Sequence, residues 1–341
     1  MKVAYLHLGS EDDPFYGKMV AFMRIAAAQL GVELEVVECF RDSARIREEG
    51  EALVARSTRP DVLLLPNHKG LALDLIPKAD AAGIRVLLVN EGLLVAEKST
   101  LGDPGERYPL WTGEMVPDER EYGRLLARFL IGEARGRGMA AADGRVHLCA
   151  LTGGFTFASI SRRSGLQAEV AGHDDLHLAA ILPADWERSR ARTLTAQALT
   201  ATPEITVVWS ASDEMALGAI EAIEAAGRRP GRDLLVGGVD WAPLVPDKIR
   251  DGVLTASVGG HFMDGAWALV MAFDHHHGAG AQVHHARSRP ALLTRDRIDD
   301  YALFFDRQSW SAIDFGRFSK ARNPALARYD FSVEAVLRSV A

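Results

Sequence analysis

Apolar runs of about six residues alternate with amphipathic stretches of about 12 to 16 residues along most of the chain. VAYLHL (3–8) precedes a helical pattern at 15–31, and LEVVECF (34–40) precedes another at 45–56. DVLLLP (61–66) precedes a third at 71–83, and IRVLLVN (84–90) closes a four-strand set. Gly31 and Gly83 follow two of these helices and suit the left-handed cap position. A polar, Gly/Pro-containing stretch runs from Glu91 to about Pro109, and a new element begins at Trp111. The rhythm then resumes: VHLCALT (146–152), a helix from about Ser159, LHLAAIL (176–182) and a helix from about Trp186. ITVVWSASDEMALGAIEAIEAAGRRPGRDLLVGGVDW (205–241) spells a complete strand, turn, helix and strand. LTASVGG (254–260) runs into a helix at 262–274.

Such alternation predicts an α/β fold of two Rossmann-like lobes with parallel sheets. The first crossing between lobes is placed near Pro117 and the return near Gly260. The N-terminal lobe is then 1–117 plus about 260–290, the C-terminal lobe is 118–259, and 291–341 forms a hinge crossing and a tail. The tail breaks the rhythm and holds Tyr301, Phe304, Phe305, Trp310, Phe315, Phe318, Tyr329 and Phe331. A flexible linker would not concentrate aromatics in this way, so the tail is expected to pack on the lobes. Its near balance of basic and acidic residues argues against a single-strand nucleic-acid surface.

Composition narrows the function classes. With 341 residues, 48% hydrophobic and 25% charged, the chain suits two cores and is neither disordered nor membrane-spanning. A formal charge of −7 argues against a general nucleic-acid binder. Cys39 and Cys149 lie in different predicted lobes and read as buried thiols, not a disulfide. The chain opens, from residue 3, on VAYLHLG, which reads as a core strand and not as the apolar part of a secretion signal.

In an open parallel sheet, small ligands bind beyond the carboxyl ends of the strands. Five polar clusters fall there. Asp13, Phe15 and Tyr16 stand at the first helix start, where acids also cap helices. Asn90 and Glu91 end the fourth strand. Arg162 and Arg163 follow a TGGFTF turn whose glycines give only a weak phosphate signal. Trp186 follows Asp185, which also suits a helix cap, and Ser212, Asp213 and Asp240 close the set. Asp118 is a predicted N-cap with Glu121 at the capping-box position, and it is also carried as a ligand candidate. His261 falls at a predicted crossing and joins the candidates, whereas His275 to His277 and His284–His285 read as a solvated helix end and loop, not a zinc site. No HExxH, GxSxG or CxxC motif is present, so binding without turnover is the simpler account and no catalytic residue, cofactor or metal is assigned.

These segments together resemble the type I periplasmic binding proteins, the sugar-binding group that includes ribose- and galactose-binding proteins. The resemblance covers roughly residues 3 to 295, most strongly DPFYGKMVAFMRIAAAQLGVELEV, SASDEMALGAIEAIEAAGRRPGRDLLVGGVDWAP and IRDGVLTASVGG. It implies two lobes joined by three hinge strands that close on a ligand, a periplasmic location, a monomer, and delivery to an ABC permease or a membrane sensor. Carried onto this chain, Phe15 and Tyr16 resemble the family's stacking pair, with Asp13 the preceding polar contact. Arg162 with Gly165 resembles its Arg-x-x-Gly step, Trp186 its next aromatic, and Asp240 matches its acid at that position. Three positions depart: Asn90-Glu91 replaces an Asp-Arg pair, Ser212-Asp213-Glu214 replaces Asn-Asp-Glu, and Gly260 beside His261 replaces a Gln. The resemblance therefore implies a small polar ligand, a sugar or polyol, that need not be ribose. The rival expectations are an effector-binding regulator, for which a strand starting near residue 3 leaves no DNA-binding headpiece, and a two-lobed sugar-acting enzyme.

Overall fold

Segments apolar on both faces become the inner strands of two sheets, because helices cover each face of a parallel sheet. The computed structural model describes residues 1–280 and 284–340. The chain divides into one unit of Met1–Pro117, Gly260–Arg289 and Asp306–Ala341, and a second of Asp118–Gly259 and Pro290–Phe305.

The first unit contains β1 (Lys2–His7), α1 (Tyr16–Leu30), β2 (Glu33–Glu38), α2 (Ser43–Ala55), β3 (Val62–Leu65), α3 (Leu71–Ala81), β4 (Arg85–Val89), α4 (Val95–Leu101) and β5 (Trp111–Met115). The second holds α5 (Glu119–Gly136), β6 (Val146–Thr152), α6 (Phe157–Val170), β7 (Leu176–Pro183), α7 (Arg188–Ala201), β8 (Ile205–Ser210), α8 (Asp213–Ala225), β9 (Leu235–Val239), α9 (Val245–Arg250) and β10 (Ala256–Gly259). After these come α10 (Asp264–His276) and β11 (His285–Ala286) in the first unit, β12 (Ala291–Leu293) in the second, and α11 (Val333–Val340) in the first.

One sheet has the order β2-β1-β3-β4-β5-β11 and the other β7-β6-β8-β9-β10-β12. Among the described residues every strand pairing is parallel except β10 with β12. The strand order reverses between β1 and β3, and again between β6 and β8. These are the topological switch points, where the crevice beyond the carboxyl ends opens. β3 and β6 are buried along their whole length, whereas the outer β2 is only partly covered.

Local signals set several boundaries. Gly31 (φ 70°) closes α1 and Gly83 (φ 78°) follows α3, each in the left-handed region. The polar stretch after Glu91 contains a helix, α4, because Glu97 accepts a hydrogen bond from the Leu94 N–H (2.8 Å) and caps its first turn. The helix expected from Trp186 begins two residues later, since Asp185 (φ 52°) and Trp186 (φ 67°) are left-handed and cannot continue a right-handed turn.

The tail is divided between the units. Residues 290–305 belong to the second, where β12 extends the sheet. Residues 306–340 lie on α1 and α10 of the first: Trp310 stacks on Phe22 at 4.4 Å, and Gln29 bonds both Ile313 O (2.7 Å) and Phe315 N (2.8 Å). Buried Asp274 accepts from Ser319 Oγ, Lys320 N (2.6 Å), Ala321 N (3.0 Å) and Tyr329 Oη (2.8 Å). A buried carboxylate is tolerated only with such partners, so Asp274 fixes the tail's path. Cys39 and Cys149 are both free and buried, and burial pushes their thiols up to about 11 and about 12.

Candidate functional site

Eight described non-glycine residues have positive φ: Phe40, Arg41, Lys69, Asn90, Asp185, Trp186, Asp240 and Trp241. All follow the carboxyl end of a strand, namely β2, β3, β4, β7 or β9. Backbone held in this region costs energy and gathers where a site needs a particular geometry. The two carboxyl-end surfaces are therefore the first places to look for chemistry.

In the first unit, Asp13 serves α1 before any ligand. Its Oδ1 accepts the N–H groups of Phe15 and Tyr16, both at 3.0 Å, and its Oδ2 accepts Arg41 Nε (2.9 Å) and Nη2 (2.6 Å). The capping role thus coexists with a partly buried position beside the aromatics. Phe15 is half-buried, with Tyr16 5.1 Å away edge-on and the His261 ring 4.7 Å away. Burial first, and then the charge of Glu91, hold the Tyr16 hydroxyl well above its usual range. Glu91 is itself buried. Asn90 is 6% exposed with φ 64°, and its Nδ2 has no hydrogen-bond partner among the described residues. An unmet buried donor costs roughly 1 to 3 kcal/mol, and such groups ask for an explanation. Beneath this surface, His7 is buried between Tyr5 (5.6 Å) and Tyr16 (5.8 Å) with both ring nitrogens unbonded. Burial lowers its pKa, with Glu38 opposing.

The second unit is organised around Arg162. This guanidinium, 4% exposed, donates to Glu119 from Nε (2.5 Å) and Nη2 (2.9 Å). Its Nη1 donates to Ala211 O (2.7 Å) and Asp240 Oδ1 (3.2 Å). Burial would lower the Arg162 pKa, but Glu119 and then Asp240 more than offset it, so the group stays charged. Its planar fork suits this bidentate hold. The Trp186 ring lies 5.8 Å from the guanidinium carbon. Gly153 admits that ring, since a Cβ there would lie 2.0 Å from Trp186 Cε2. The first glycine of the TGGF turn therefore makes room for an aromatic.

Ser212 and Asp213 are buried supports. Ser212 Oγ caps α8 through Met215 N (3.3 Å), and Asp213 accepts Ser257 Oγ (2.8 Å) and Ala242 N (2.9 Å). Burial, then the nearby Asp240, push the Asp213 carboxyl well above the usual carboxylate range. Asp118 stands apart as an exposed cap of α5, accepting Glu121 N at 3.3 Å, while Glu121 turns to Arg124 instead of completing a capping box.

The structure thus groups Asp13, Phe15, Tyr16 and His261 on one unit, with Glu91 acting on Tyr16. On the other it groups Arg162, Trp186 and Asp240. Glu119 escaped the sequence reading. It looks like an ordinary first-turn acid, and its partner lies 43 residues away. Arg41 escaped likewise. Among the described residues, no group of three or more His, Cys, Asp or Glu is arranged to hold a metal ion. His285 instead bonds Glu114 at 2.9 Å.

Comparison with known proteins agrees with this architecture. A family model described as a periplasmic binding protein domain matches residues 5–279. The ribose import binding protein of Salmonella typhimurium is 26% identical over 253 residues, 74% of this chain and 77% of that protein. The D-allose-binding periplasmic protein of Escherichia coli is 32% identical over 115 residues, 33% of this chain and 36% of that one. The solved structure of a periplasmic sugar-binding protein from Pseudomonas fluorescens superposes with a TM-score of 0.88 at 30% identity, covering 99% of each chain. These relatives are named as binding proteins and not as enzymes. With two switch-point sheets of one strand order and a family match across most of its length, the chain belongs to the periplasmic binding proteins, in their type I form.

Proposed function

We propose that this chain captures a small polyhydroxylated solute, a sugar or cyclic polyol, in the periplasm, and delivers it as a monomer to an ABC importer. The observation that carries the reading is the pairing of aromatic faces with held polar groups at the carboxyl ends of both sheets, above all Trp186 beside Arg162 and Asp240. Apolar faces of a sugar ring stack on aromatics, while carboxylates, amides and guanidinium groups bond its hydroxyls. In this reading Phe15, Tyr16 and Trp186 stack on the solute. Asp13, Asn90, Arg162 and Asp240 bond its hydroxyls, with Glu91 and His261 beside them. Asp213 and Ser212 hold the turns in place, and Asp118 only caps its helix.

The sugars in the names of the relatives support the class but not the member. Departures at Asn90-Glu91 and Gly260 alter the first unit's polar set, so ribose and D-allose are starting points only. A wrong epimer leaves a buried donor or acceptor unpaired at roughly 1 to 3 kcal/mol, which is enough to discriminate.

A thermal-shift screen of D-ribose, D-galactose, D-allose, L-arabinose and myo-inositol tests the proposal. At least one is expected to raise the melting temperature, and Asp240→Ala is expected to abolish that shift. A silent panel, or a variant that responds like wild type, would overturn the assignment.

A further inference from the structure

Asp240 occupies a position that its own sequence does not favour. Its φ is 121° and that of Trp241 is 56°, so two consecutive non-glycine residues lie outside the ordinary regions. Such a turn persists only if its surroundings impose it.

Three holds are visible within the second unit. The Asp240 N–H donates to Val258 O at 2.8 Å, and the next amide, Ala242 N, donates to the buried Asp213. The third is the Trp241 side chain. It is fully buried, donates Nε1–H to Ser257 O at 3.1 Å and lies so close to Gly259 that a Cβ there would be 2.4 Å from its Cγ. Its other neighbours are Tyr301 at 4.7 Å, Phe305 at 5.7 Å and Phe304 at 6.1 Å, with Tyr301 and Phe304 fully buried.

These aromatics lie beyond residue 279, where the family match ends. We infer that the segment Tyr301–Phe305 is a positioning element for solute binding, clamping Trp241 so that Asp240 stays against Arg162. This rests on the proposed reading that Asp240 bonds the solute. Without the clamp the Trp241 ring loses one wall of its pocket. The left-handed pair then relaxes, and the Asp240 carboxylate leaves its 3.2 Å contact.

The test uses the full chain with whichever sugar of the five-member panel binds most tightly. Tyr301→Leu is expected to raise Kd about tenfold, a change of ~1.4 kcal/mol. Tyr301→Phe, which keeps the ring, is expected to restore wild-type affinity. Trp310→Leu, in the part of the tail that packs on Phe22, serves as a control for simple destabilisation and is expected to lower Tm without changing Kd. Adding Tyr301→Leu to Asp240→Asn should weaken binding no further, because both act through one group. An unchanged Kd in Tyr301→Leu, or losses that multiply in the double variant, would overturn the inference while leaving the solute-binding reading intact. If no sugar in the panel binds, that reading falls instead, and amide exchange at Asp240 and Ala242 still decides the clamp. Tyr301→Leu should accelerate exchange there and leave β1 unaffected, and unchanged exchange would refute the positioning role.

Discussion

At the carboxyl end of the β6–β10 sheet Arg162 is held by Glu119 and Asp240, and Asp213 by Ser257 and Ala242, although the neighbouring Arg163 Nε has no hydrogen-bond partner among the described residues. At the carboxyl end of the β1–β5 sheet the Asn90 Nδ2 and both His7 ring nitrogens have no hydrogen-bond partner among the described residues, with His7 Nδ1 4.0 Å from Glu38 Oε1. The strand order is the same, so fold does not account for the difference. One surface is held largely by its own side chains, which in the proposed reading limits the ordering cost of binding. The other retains an unmet donor, which is a cost in the protein by itself and, in the proposed reading, is met by a solute hydroxyl.

The largest effect expected comes from breaking the organised side. Glu119→Ala leaves a buried guanidinium without its main counter-charge, and should cost about 3 to 5 kcal/mol in urea unfolding. A loss below about 1 kcal/mol would mean the pair behaves as an exposed one. Gly153→Ala comes next, since its Cβ meets the Trp186 ring. Overpacking of this kind costs about 1 to 3 kcal/mol, and displacement of the ring should weaken solute binding as well. A variant with unchanged Kd would separate Trp186 from the solute.

The unpartnered side is sharpened by pH. Burial lowers His7 below its ordinary 6.5 and His68 to about 4, so the unfolded chain binds more protons than the folded one between these values. Stability is then fully present above about 6.5 and declines as pH falls toward 4. His7→Phe should flatten part of that slope in unfolding curves at pH 7.5 and 5, and an unaltered slope would show that His7 does not contribute. The smallest effect belongs to Arg41→Gln. Its side chain is 54% exposed, so loss of the Asp13 pair should cost under about 1 kcal/mol.

Much of the fold was legible because inner strands of a parallel sheet must be apolar on both faces, as Val62–Leu65 and Val146–Thr152 are. Elements fixed by tertiary contact were not. β11 and β12 span two and three residues, too few for any periodicity, and α4 hides in a polar stretch that Glu97 caps. The helix after Asp185 starts late because Trp186 is turned toward Gly153. The site residues were legible in part through resemblance, at Phe15, Tyr16, Arg162, Trp186 and Asp240. Glu119 was not, because a partner 43 residues away leaves no local trace. The tail's aromatics announced packing, but nothing in their spacing named Trp241, Trp267 or Phe22 as their partners.

In the proposed reading the unmet Asn90 Nδ2 donates to a solute hydroxyl, and Asn90→Gly tests this directly. Glycine accepts the φ of 64° without strain and removes only the side chain. Calorimetric titration of wild type and variant with the best sugar of the panel should show one site in each, with Kd raised at least about tenfold in the variant. Unfolding stability should be equal or higher, because the unpaired buried donor is gone. Equal affinities, or a variant that loses stability and affinity in proportion, would contradict the account.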